Sequence, residues 1–114
     1  MNKYTELSDF EINKKVAEKI HGKGSVSRTF EDVIIFKDTG VEKFDPCNNP
    51  SDAMPIIIEN GIAIRPYKTA TPVSFNAEIG EFYGHAVYNE NILRAAMELF
   101  LLIKDTENEN NNNS

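Results

Sequence analysis

Residues 44–66 read FDPCNNPSDAMPIIIENGIAIRP, and this stretch decides the fold class. Asn49-Pro50 has the form of a helix N-cap followed by proline at the first helical position. Ser51 and Asp52 suit a first turn, and Asn60-Gly61 ends the segment. Ile62-Ala63-Ile64 then reads as a strand, stopped by Arg65-Pro66. Pro55 opposes one straight helix, because it lacks a donor and clashes one turn back. The segment is therefore either a short turn with a helix beginning near Pro55, or a kinked helix over residues 50–60.

Upstream, TFEDVIIFKDTGVEKF (residues 29–44) predicts a hairpin. Residues 33–36 form one strand, Asp38-Thr39-Gly40 the turn, and residues 41–44 the return. Before it, LSDFEINKKVAEKIHGKG (residues 7–24) is the clearest helix. Ser8 and Glu11 have capping-box spacing, and Leu7 with Ile12 can form the hydrophobic staple. Ile12, Val16 and Ile20 make an apolar stripe, and Gly22 and Gly24 stop the helix. The GKGS that follows is too short and wrongly placed for a phosphate-binding loop.

Downstream, residues 67–80 read as irregular, the longest candidate loop. EFYGHAVY (residues 81–88) predicts a strand. Asn89 or Asn91 caps a last helix, ILRAAMELFLLIKD, which is apolar on nearly every side. Such a helix is central and buried, or serves an oligomer interface as well. The polar run from residue 105 to 114 is expected to be a disordered tail. The whole is an α+β domain over residues 1–104. An antiparallel sheet of about four strands packs with an N-terminal helix, a short proline-containing middle helix and an apolar C-terminal helix.

Composition bounds the function. A chain of 114 residues fits one domain, and that length buries roughly two-thirds of the unfolded surface. The net charge is −6, and −3 without the three acids of residues 105–114. That balance disfavours nucleic acid, whose phosphates need lysine and arginine. Cys47 is the single cysteine, so neither a disulfide nor a multi-cysteine zinc site is available within the chain. No signal-peptide core and no membrane-length apolar run are present. The expected location is the cytoplasm.

No catalytic constellation is recognisable. A nucleophilic Cys47 needs a nearby base, and neither His21 nor His85 stands in such a context. Asp45, Asp52, Glu59, His85 and Cys47 lack metal-ligand spacing. No cofactor, metal or enzymatic activity is expected. Asp45, Asn48 and Asn49 suit a rigid polar turn that caps a helix. They also suit one wall of a binding pocket, because an asparagine both donates and accepts. Arg94, in the apolar last helix, needs a partner: a carboxylate such as Asp45 or Asp52, or an anionic ligand. Tyr67, Phe75, Tyr83 and Tyr88 offer a stacking surface for a base. Tyr83 and His85 are the residues of that region expected to contact a ligand.

Three blocks, LSDFEINKKVAE, FDPCNNPSDAMPIIIENGIAI and NILRAAMELFLLIKD, resemble the NinX family of small accessory proteins of tailed phages and prophages. The resemblance implies a phage-encoded protein made in the bacterial cytoplasm and brings no catalytic residue. Residues 45–49, Asp52 and Met54 enter as members of the middle block. Two functions follow as expectations. One is binding of a small polar or nucleotide-derived ligand, sequestering a host defence signal. The other is an interaction module that acts on a host factor or on phage gene expression. A homo-oligomer would suit either.

Overall fold

The computed structural model describes residues 2–29 and 32–112. Phe30 and Glu31 of the expected hairpin segment, and residues 113 and 114 of the expected tail, lie outside the described residues. The order is α1 (Asp9–His21), a 3-10 turn (Lys23–Ser25), β1 (Val26–Thr29), β2 (Asp32–Lys37), β3 (Gly40–Lys43), α2 (Pro50–Glu59), β4 (Ile62–Arg65), β5 (Val73–Asn76), β6 (Ala86–Tyr88) and α3 (Ile92–Asn112).

The strands do not make one sheet of four. They make two three-stranded antiparallel sheets, β1-β2-β3 and β4-β5-β6, with α2 between them in the chain. Every pairing joins consecutive strands, so each sheet is a local meander needing no long crossover. The hairpin of β2 and β3 stands as expected, and β1 pairs along its other edge, with Arg28 opposite Val33.

α1 opens on the capping box, with the Ser8 side chain accepting from the Glu11 amide and the Glu11 side chain accepting from the Ser8 amide. Its buried face is Ile12, Asn13, Val16 and Ala17. Ile20, expected to continue the stripe, is 42% exposed. The buried face ends one turn earlier, and the helix stops at Gly22, whose φ of 81° suits glycine.

α2 resolves the question of Pro55: it is one helix from Pro50 to Glu59 with Pro55 inside. Pro55 leaves the Ser51 carbonyl without its helical donor, but Ser51 is exposed and water can take the bond. Asn49 is the N-cap and accepts from the Ser51 amide at 3.0 Å. Ala53, Ile56 and Ile57 face the core.

α3 is the central element. It packs against α1, α2 and all three strands of the second sheet, while α1 covers β1 and β2. Ala95, Ala96, Met97, Leu99, Phe100 and Leu101 are all buried. The helix continues to Asn112, past residue 105, where the sequence reading begins a disordered tail. Asp105 is held by the Tyr4 hydroxyl and by Lys3 at 3.1 Å, and Thr106 bonds back to the Leu102 carbonyl at 3.1 Å. Among the described residues, no helix is long and apolar enough to cross a membrane.

The 67–88 region departs most from expectation. Residues 73–76, read as loop, are β5, and of residues 81–88 only the last three are strand. Residues 81–83 are turn and Gly84 a bend, and a further turn precedes them: Asn76 Oδ1 accepts from the Glu78 and Ile79 amides, and the Gly80 amide donates to the Asn76 carbonyl.

Candidate functional site

The corner at residues 44–52 is tied to two helices that are distant in sequence. The Asn48 and Asn49 amides both donate to the Asp45 carbonyl, which closes a tight turn. The Asp45 amide donates to Asp52 Oδ2 at 2.9 Å, fastening that turn to the first turn of α2. Asn13 then bridges from α1: its Nδ2 donates to Asp45 Oδ1 at 2.6 Å, and its Oδ1 accepts from the Cys47 amide at 3.0 Å. From the other side, Asn91 Nδ2 donates to the Cys47 carbonyl at 2.7 Å. Asn91 Oδ1 caps α3 by accepting from the Leu93 and Arg94 amides.

Cys47 lies at the centre of this lattice and is fully buried. Burial pushes its thiol well above the ordinary range, and the neighbouring Asp9 pushes it further. A thiol held protonated is a poor nucleophile. Its sulfur lies 3.9 Å from the Asp9 carbonyl.

Arg94 pairs with neither Asp45 nor Asp52. Its Nε donates to Glu98 at 2.8 Å and its Nη1 to Asp9 at 2.7 Å. Its Nη2 donates to the Tyr4 carbonyl at 3.1 Å and the Leu7 carbonyl at 2.6 Å. Asn2 supplies Glu98 with a further donor at 3.2 Å. Four of the five guanidinium hydrogens are thus committed to the fold, which fixes residues 2–9 against α3. Among the described residues, no buried side-chain nitrogen or oxygen is left without a hydrogen-bond partner.

In front of the corner lies a cleft of ≈ 530 Å³. Asp45 and Asn48 form one wall, Ser8, Asp9, Phe10 and Asn13 of the α1 entry another, and Arg28, Asp32, Val33 and Lys43 of the first sheet the third. The Arg28 guanidinium sits 5.7 Å from the Phe10 ring centroid. Lys43 reaches Asp32 at 3.5 Å, and Asn48 Nδ2 lies between Asp45 at 3.1 Å and Asp9 at 3.3 Å. The cleft is therefore lined by two cations, three carboxylates, two side-chain amides and two phenylalanines, with Lys43 paired to Asp32 and the amides bonded to Asp45.

Of the residues singled out from sequence, Asp45 and Asn48 line this cleft, and Asn49 and Asp52 stand behind it as cap and brace. Met54 is half-buried against the core. Arg94 stands behind the Asp9 wall. Tyr83 and His85 belong to the turn before β6 and line no part of the cleft. The residues missed were Asp9, Phe10, Asn13, Arg28, Asp32 and Lys43. One signal was available for Asn13: it is a polar residue beside Ile12, Val16 and Ala17 on the buried face.

Three of the four aromatics proposed for stacking do converge, but around an arginine of the chain itself. Arg65 lies 4.9 Å from the Phe75 ring centroid. Its Nη1 is 3.2 Å from the Tyr67 hydroxyl and 2.7 Å from Glu81. The Tyr88 hydroxyl donates to Glu81 at 2.6 Å. Tyr83 stays apart, 86% exposed. Among the described residues, no group of three or more His, Cys, Asp or Glu side chains is placed to hold a metal ion.

Comparison with curated proteins returned no match, and comparison with solved structures returned none. The family model described as Bacteriophage P22, NinX matches residues 3–104, and this small α+β chain belongs to that family.

Proposed function

We propose that the protein is a non-enzymatic phage accessory protein that captures a small polar ligand in the cleft between α1, the first sheet and the 44–49 corner. The observation that carries this reading is the convergence of Arg28 and Lys43 with Asp45 and Asn48 around one ≈ 530 Å³ space. Arg28 on the first sheet, with the Asp9 and Asp45 carboxylates on the other two walls, suits a ligand with an anionic group at one end and hydrogen-bond donors at the other; Lys43 reaches the same space already paired with Asp32 at 3.5 Å. The Phe10 ring with Arg28 above it provides a planar surface, as base-binding sites do. A nucleotide has all three features: phosphate, donors on its base and a π-face. In a phage protein, capture of a nucleotide-derived signal of the host is the use that fits this chemistry. The wall behind the cleft is preorganised by Asn13, Asn91 and Arg94, which lowers the cost of ordering a site on binding.

Calorimetry against cyclic mononucleotides, cyclic dinucleotides and linear nucleoside phosphates tests the proposal. Binding of at least one member is expected, weakened about tenfold or more by Arg28→Ala or Asn48→Ala, since each removes a direct polar contact. Absence of heat with every member, or unchanged binding in both variants, overturns it.

A further inference from the structure

A second concave surface lies away from the cleft, between α3 and the turn that precedes β6. Its floor and walls include Ile79, Gly84, His85, Leu99, Ile103 and Glu107, around a space of ≈ 560 Å³. The wall is tight at Gly84, where a Cβ would stand 3.2 Å from Ile79 Cγ2. Beside it, Phe82 and Tyr83 are 84% and 86% exposed. Two adjacent large aromatics facing water are unusual on a finished surface, and aromatics are enriched where proteins meet. These two cannot fill the groove beside them: Gly84 and His85, the next residues, already form its wall, and the tether is too short to fold back.

We infer that the occupant is a second copy of this chain, with Phe82 and Tyr83 of each copy seated in the groove of the other. One surface carries both a knob and a matching apolar groove, which is what a two-fold interface requires, since each contact is made twice. On the adjoining edge of α3, Lys104 and Glu107 pair with each other at 3.2 Å, so that edge brings a neutral pair to the contact. The area is sufficient. Four aromatic side chains bury ~150 to 250 Å² each, and the groove walls they cover carry the total to the ~1,200 Å² lower bound of specific interfaces. A small molecule in the groove would leave both rings wet. The net charge of −6 opposes self-association at long range, so added salt should strengthen the dimer by screening.

Sedimentation velocity of the full chain over a concentration series, at low and high salt, tests this. A monomer–dimer equilibrium that tightens with salt is expected. Phe82→Ser/Tyr83→Ser, both at exposed positions, should weaken it at least ~10-fold, as loss of central aromatic anchors does. A wild-type chain that stays monomeric throughout overturns the proposal and leaves the groove to a different polypeptide. A serine double variant that dimerises as tightly as wild type overturns it too.

Discussion

Arg94 and Arg65 mark two regions of this molecule that use the same chemistry for different ends. Each guanidinium meets a carboxylate at 2.7 Å. Arg94 has a side chain only 9% exposed, and its partner Glu98 is at 2%. Its contacts reach residues 85 to 90 positions away, so it joins the two ends of the chain. Arg65 is 48% exposed, against 10% for its partner Glu81, and bonds within the second sheet and its loops. A buried cation leaves buried charge behind when it is removed, whereas an exposed one is replaced by water and salt. The lattice around Arg94 should therefore govern stability, and the cluster around Arg65 should hardly affect it.

The largest expected effect breaks the first half of that contrast. Arg94→Ala strands Glu98 and frees the Tyr4 and Leu7 carbonyls. A loss of ~3–5 kcal/mol is expected, a large share of the ~5–15 kcal/mol typical of a small domain. Urea unfolding followed by circular dichroism measures it. Arg94→Lys should recover only part, since an ammonium cannot hold two carboxylates and two carbonyls in one planar fork. A loss below ~1 kcal/mol for the alanine variant would show that the network contributes little beyond what water supplies.

Asn13→Ala comes next. It removes the bridge between α1 and the 44–49 corner while leaving Arg94 in place. The Cys47 amide is buried and would lose its acceptor, at a cost of ~1–3 kcal/mol. Hydrogen exchange at the Cys47 amide should speed up while exchange in β4–β6 changes only with global stability. Equal acceleration in both sheets would mean that the corner and the second sheet open as one unit.

How far the fold was legible follows the same division. Capping and turn chemistry is local, so the start of α1 and the β2–β3 hairpin stand in the sequence as they do in the structure, while the start of α2, left open between residue 50 and Pro55, is settled at Pro50. β5 was not legible because Val73, Ser74 and Phe75 are all buried. A strand covered on both faces loses its alternation, and at four residues it is too short to announce itself otherwise. The two sheets are separate because each closes on its own hairpins, which a count of strands does not reveal. The candidate site was half legible. Asp45 and Asn48 stood out through turn chemistry, but Arg28 and Lys43 come from the two outer strands, which only pairing with β2 brings to one end of the first sheet. Arg28 lies opposite Val33 and Lys43 opposite Ile34, neighbours whose side chains leave opposite faces, so the two cations reach the cleft from either face of the sheet. That is information held in pairing, not in spacing.

The smallest expected effect tests the exposed half of the contrast, and it is a titration. Tyr88 donates to Glu81, and this hydrogen bond to a carboxylate raises the tyrosine above its ordinary range, with burial adding in the same direction. A raised pKa in the folded state means that the contact contributes at pH below the ordinary tyrosine value and is lost as pH rises through the folded one. Glu81→Gln removes the charge while keeping an acceptor, so Tyr88 should ionise at lower pH than in wild type. NMR of the tyrosine ring carbons would follow it. The same substitution should move the urea midpoint very little, because glutamine keeps an acceptor for Tyr88, itself 54% exposed, and for Arg65, 48% exposed. If Glu81→Gln instead destabilises the chain as much as Asn13→Ala, the second sheet depends on its outer polar cluster. Exposure would then be the wrong measure for separating the two arginines.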